Sequence, residues 1–130
     1  MILLDSHVLL WLLLEPELLS SNAVAVIQSS VDSQQAPGVS ILSIYELSRA
    51  IHRGRVSTVV SPEEFLRRAE AYALVLPVTP AIAITATQLP PTFPSDPFDR
   101  IIAATAIVEG IPLLTADKNI RRSRALRTLW

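Results

Sequence analysis

The 130-residue sequence has no cysteine, which excludes a disulfide framework, a thiolate metal site and a thiol nucleophile. It also lacks an excess of charge. Eleven basic and 12 acidic side chains leave a net charge of -1, so any hold on a nucleic acid must come from a local patch. No apolar run is long enough for a bilayer: the longest, Val8 to Leu14, falls far short of the ~20 residues a spanning helix needs. That run is not a leader either. No basic stretch precedes it, Asp5 and His7 interrupt the approach, and no small-residue cleavage site follows. No Ser-His-Asp set is evident, and the sparse aromatics form no visible stacking platform. No repeat, low-complexity tract or linker divides the chain. The expectation is one domain over residues 1–130, cytoplasmic, with no membrane contact.

What is present is apolar and segmented. Half of the residues are hydrophobic and the mean hydropathy is +0.41. Ile2-Leu3-Leu4 reads as a short buried strand. A helix capped by Ser6 follows, over His7 to Leu14, ended by Glu15-Pro16. Being apolar on nearly all sides, it needs cover on more than one, some of it from another chain. A second helix starts at Ser20-Ser21-Asn22. Val39-Ser40-Ile41 reads as a strand, and Ser43 to about Arg53 as a helix with Gly54 behind it. Ser61-Pro62-Glu63-Glu64 opens another helix, Leu74 to Val78 is a strand, and Thr79-Pro80 starts the next helix. After the loop of Pro90, Pro91, Pro94 and Pro97, a helix runs to Glu109 and stops at Gly110. Pro112 to Thr115 and Ala125 to Trp130 are the last strands, with a helical turn between Asp117 and Arg122. Strands alternating with helices give an α/β fold, a three-layer α/β/α arrangement around a parallel sheet of four to five short strands.

Four acids fall at functionally telling places. Asp5 closes the first strand, Asp117 follows the fourth, Asp99 lies in the opening turn of one helix and Glu46 in the first half of another. Ligands of parallel α/β sheets bind at the carboxyl edge. Two unit charges ~4 Å apart cost roughly 4 kcal/mol at an effective dielectric of 20, so gathered carboxylates call for a cation. A hard divalent ion with oxygen ligands, Mg²⁺ or Mn²⁺, answers that need, and supplies both activated water and charge relief for phosphodiester hydrolysis. Each acid also has a plain structural role open to it. Asp5 and Asp117 suit helix caps, Glu46 suits a pair with Arg49, and Asp99 suits the helix dipole. These plain roles are unrelated to one another, whereas one cation accounts for all four.

Four motifs in order resemble the PIN-domain family, particularly the toxin nucleases of prokaryotic VapBC toxin–antitoxin pairs. They are Leu4-Asp5-Ser6-His7, Ser43-Ile44-Tyr45-Glu46-Leu47, Asp96-Pro97-Phe98-Asp99-Arg100 and Leu113-Leu114-Thr115-Ala116-Asp117. The resemblance implies a Mg²⁺- or Mn²⁺-dependent endoribonuclease, a tightly bound antitoxin and a homodimer. It implies Asp5, Glu46, Asp99 and Asp117 as metal-binding and catalytic residues. The motif places the third ligand at Asp99, leaving Asp96 to cap the helix or bind behind the ligands. Ser6 and Thr115 are candidates to orient a carboxylate, with a local cap or turn bond as the alternative. His7 and His52 are given no catalytic part.

Five of the 11 basic residues follow position 117: Lys118, Arg121, Arg122, Arg124 and Arg127. Lys118 and Arg121, beside Asp117, are the candidates for RNA contact, through phosphates rather than bases. A catalytically inactive binding module of the same fold is one alternative. A phospho-acceptor signalling domain is another, discounted because Ile41-Leu42 and Leu76-Pro77-Val78 carry no acceptor aspartate.

Overall fold

A computed structural model describes residues 1–56 and 60–130. The strands are short: β1 (Leu3–Leu4), β2 (Gly38–Ser40), β3 (Leu74–Leu76), β4 (Leu113–Leu114) and β5 (Thr128–Leu129). All pair in parallel, in the order β3-β2-β1-β4-β5. Around them lie α1 (Ser6–Leu14), α2 (Ser21–Asp32), α3 (Ile41–His52), α4 (Pro62–Tyr72), α5 (Pro80–Thr87), α6 (Pro97–Glu109) and α7 (Lys118–Ser123). The expected α/β class and parallel sheet are therefore found, with five strands.

Successive side chains of a strand point to opposite faces, and here that alternation builds two cores. Leu4, Val39 and Leu114 face one side, packed with Val8 and Leu9 of α1, Ile27 of α2, Leu47 of α3 and Phe65 of α4. Leu3 and Leu113 face the other, packed with Ile102, Ala103 and Ala106 of α6 and Ile120 of α7. The central strands β1, β2 and β4 are buried on both faces, while β3 and β5 at the sheet edges are only partly covered. α1 follows the expectation of cover on several sides only in part. Val8 and Leu9 are fully buried, while Leu10, Leu12, Leu13 and Leu14 are partly buried against the same core.

Two local expectations need correction. Ser6 does not cap α1: the Asp5 carboxylate does, accepting from the Ser6 backbone N–H at 2.7 Å, and Ser6 is the first helical residue. α3 begins at Ile41 rather than Ser43, because the Ser40 hydroxyl accepts from the Leu42 N–H at 3.2 Å and ends β2 there. At the far end of α6, Gly110 takes the left-handed conformation, φ 66°, and turns the chain directly into β4. That turn aims the end of β4, with Thr115 and Asp117, at the same edge as Asp5.

Candidate active site

The order β3-β2-β1-β4-β5 reverses direction at β1, so the crevice between β1 and β4 is the switch point where α/β sheets take ligands. Asp5 stands there. It is 5 % exposed, and both its oxygens are engaged: Oδ1 accepts from the Ser6 N–H, and Oδ2 from the Thr115 hydroxyl at 2.6 Å. Thr115 Oγ1 in turn accepts from the Asp117 N–H at 3.1 Å. Thr115 thus ties the first acid to the last across two strands. Burial pushes the Asp5 carboxyl above its ordinary range, while the Thr115 and Ser6 bonds pull it back.

Asp117 caps α7, its Oδ1 accepting from the Asn119 and Ile120 N–H groups at 2.7 and 3.0 Å. The capping role open to it from sequence is real and coexists with its place at the edge. Asp5, Asp117, His7, Trp11 and Ala116 line a cavity of about 180 Å³.

Glu46 reaches the edge from the second turn of α3. Its Oε2 accepts from the Ser6 hydroxyl at 2.6 Å, and the Ser43 hydroxyl lies 3.0 Å from that of Ser6. A hydroxyl has one proton. With Ser6 donating to Glu46, Ser43 is left to donate to Ser6, and the chain Ser43–Ser6–Glu46 aims the carboxylate. The alternative pairing with Arg49 is not made among the described residues. The Arg49 guanidinium instead lies 5.8 Å from the centre of the Phe98 ring.

Asp99 sits in the first turn of α6, half-buried. Its carboxyl is pushed up to about 7, by burial first and then by the charges of Asp96, Asp5, Asp117 and Glu46. Asp99 therefore feels every other acid of the set, although they come from four separate segments. Asp96 is exposed and caps α6, its Oδ1 accepting from the Phe98 and Asp99 N–H groups at 2.8 and 3.2 Å. His7 is exposed with its ring 5.9 Å from that of Trp11, and His52 is exposed in the last turn of α3.

The donor set is oxygen only, which suits a hard cation. Among the described residues no three acids or histidines close into one ligand group. The carboxylates converge electrostatically without forming a tight cage. Such an arrangement fits a cation that keeps several of its waters, as Mg²⁺ does, and direct ligation by all four acids would require the side chains to swing inward.

Two residues at this edge carry a signal that the sequence reading passed over. Tyr45 and Phe98 each directly precede an acid, Glu46 and Asp99, and their rings meet 5.9 Å apart across α3 and α6. Tyr45 is 55 % exposed. An aromatic residue immediately before two of the four acids was the readable clue.

A model of the PIN domain matches residues 2–126. The chain belongs to the PIN-domain family. The resemblance carried by the four motifs therefore holds over nearly the whole chain. This PIN-domain protein is 35 % identical to Ribonuclease VapC22 of Mycobacterium tuberculosis (strain ATCC 25618 / H37Rv) over 131 residues, 99 % of this chain and 98 % of that protein. Its PIN fold also matches solved structures. VapBC2 from Rickettsia felis bound to a DNA fragment from its promoter gives a TM-score of 0.74 at 13 % identity, over 99 % of this chain and 98 % of that one. DNA-bound VapBC from Salmonella typhimurium gives 0.70 at 18 % identity, also over 99 % and 98 %. At those identities the likeness is one of fold.

Proposed function

We propose that this PIN-domain protein is a metal-dependent endoribonuclease and the toxin of a type II toxin–antitoxin pair, acting as a single domain in the cytoplasm. The observation that carries the reading is the state of Asp99. A half-buried carboxyl raised to about 7, first by burial and then by the charges of Asp96, Asp5, Asp117 and Glu46, is a site that a cation would relieve. Asp5, Glu46, Asp99 and Asp117 would hold a Mg²⁺ or Mn²⁺ ion, with Asp96 behind them. A bound divalent cation supplies charge relief at the phosphate and lowers the pKa of water. The protein's own residues do the rest. Thr115 fixes Asp5, Ser6 fixes Glu46, and the caps at Asp5, Asp96 and Asp117 lock the backbone that bears the acids.

An antitoxin as partner is supported by the fold likeness to the VapBC structures and by the partly buried Leu10 to Leu14 stretch of α1 with Trp11. Association with a second copy is supported by exposed apolar side chains on the β3 side, Tyr72 and Leu74. The phospho-acceptor alternative loses ground for a different reason from the one read in sequence. The central strand β1 does end in an aspartate, but Asp5 is 5 % exposed and each oxygen already accepts one hydrogen bond, which leaves a lone pair for a cation but no open approach for a phosphodonor.

The test uses the chain freed of any antitoxin. It cleaves RNA with Mg²⁺ or Mn²⁺ and stops in EDTA, and Asp5→Asn or Asp99→Asn abolishes cleavage while the fold persists by circular dichroism. A folded wild type that is inert with either ion supports the inactive binding module instead. Full cleavage by Asp5→Asn overturns the assignment of the site.

A further inference from the structure

The acids that would gather a cation also repel the phosphates on either side of the bond to be cut. A strand that lies across this edge needs positive charge close by, and a basic groove beside α7 supplies it. Lys118, Arg121, Arg122 and Arg124 line a groove of about 750 Å³ whose wall includes Asn22 and Trp130. No aspartate or glutamate side chain lines it. Among the described residues the ion pairs are those of Glu64 with Arg67 and Arg68, so these four cations are not spent on protein acids. Lys118, Arg121 and Arg122 share one face of α7 by their spacing. Arg124 follows in the left-handed conformation, φ 52°, where a non-glycine residue is uncommon.

The groove adjoins the acidic pocket by two independent links. Asp117 borders the pocket, and the next residue, Lys118, borders the groove. Trp11 lines the pocket and Trp130 lines the groove, and their rings meet 5.7 Å apart. The tryptophan pair is thus a shared wall between an acidic chamber and a basic one.

We propose that the α7–β5 groove binds the sugar-phosphate backbone of single-stranded RNA flanking the scissile bond, with Arg121, Arg122 and Arg124 as phosphate contacts alongside Lys118. The ligand class rests on the ribonuclease reading; the groove itself does not. The groove would hold the strand without reading its sequence, since cations set position and not base identity.

The experiment measures binding apart from cleavage. In a Trp11→Phe background, Trp130 is the remaining tryptophan and reports on the groove. A single-stranded oligoribonucleotide is titrated in EDTA at several salt concentrations, following Trp130 fluorescence. Four phosphate contacts give a slope of log K against log salt of about -2.8 for a single strand. The double variant Arg121→Gln/Arg124→Gln should weaken binding and shrink the slope by about 1.4, while Arg67→Gln, on α4, changes neither. Unchanged affinity and slope in the double variant overturn the proposal, even where cleavage by the wild type stands. Lost binding in the double variant supports it, even where the wild type cleaves nothing with Mg²⁺ and the nuclease reading falls. A Trp130 response to polyglutamate but not to RNA makes the groove a site for an acidic protein segment and overturns the RNA assignment.

Discussion

The Thr115 hydroxyl donates to Asp5 Oδ2 at 2.6 Å although 110 residues separate the two in sequence. It is the shortest statement of how the sheet assembles its acidic edge: β4 lies beside β1 in register, and a side chain from one strand end secures a carboxylate on the other.

Thr115→Val keeps the shape and deletes the donor. A buried acceptor that loses its partner costs ~1–3 kcal/mol, so the urea midpoint should drop accordingly, with Thr115→Ser close to the wild type. A valine variant as stable as the wild type would mean that this bond carries no net stability.

The raised Asp99 carboxyl makes stability depend on pH in a direction opposite to that of a salt-bridged acid. Its ordinary value is 3.8 and its folded value about 7, so between those limits the native chain binds more protons than the unfolded one. Stability is then highest at low pH and is lost as pH rises toward 7. The shift of Asp5 has the same sign. In EDTA, the melting temperature should be lower at pH 8 than at pH 5, and Asp99→Asn should flatten the slope and raise the value at pH 8. An equal slope in both proteins would remove Asp99 as its source.

A cation held by the folded edge and not by the dispersed chain would reverse that penalty by mass action. Adding Mn²⁺ at pH 8 should raise the melting temperature of the wild type and leave Asp5→Asn/Asp99→Asn nearly unmoved. Equal stabilisation of both would place the ion elsewhere on the surface.

Ser6→Ala frees Glu46 from the hydroxyl that aims it. Loss of a partner that orients a metal-binding carboxylate typically costs 10–100-fold in metal affinity or activity. The variant should show a drop of that order in both Mn²⁺ binding and RNA cleavage, with an unchanged fold. Ser43→Ala, one bond further away, should show a smaller one.

Gly110→Ala tests the turn that delivers β4. A Cβ there meets nothing within 4 Å, so the whole cost is the left-handed backbone at φ 66°, ~1–2 kcal/mol for a non-glycine residue. Gly110→Asn should lose less, since asparagine tolerates this conformation. Equal losses would point to the side chain rather than the backbone.

The elements were legible where local chemistry dictates them. Ser61-Pro62, Thr79-Pro80 and Asp96-Pro97 each open a helix at the proline, because a cap side chain and a fixed φ act within four residues. Boundaries were less legible where two neighbours can each cap. Asp5 rather than Ser6 caps α1, which leaves the Ser6 hydroxyl free to serve Glu46. The four acids were visible as a set. Their looseness was not, since side-chain separation depends on how α3 and α6 tilt over the sheet edge. The basic groove was half visible: the clustering of cations after Asp117 is in the sequence, but its wall of Trp130 against Trp11 exists only once the first helix and the last strand meet.

The acidic edge joins residue 5 to residue 117 through neighbouring strands. No fragment made early in translation contains it. If these acids form the nuclease site proposed above, a growing chain would stay inert toward RNA until β4 has slotted in beside β1. An activity switched on only by completed folding would give an inhibitory partner time to arrive first.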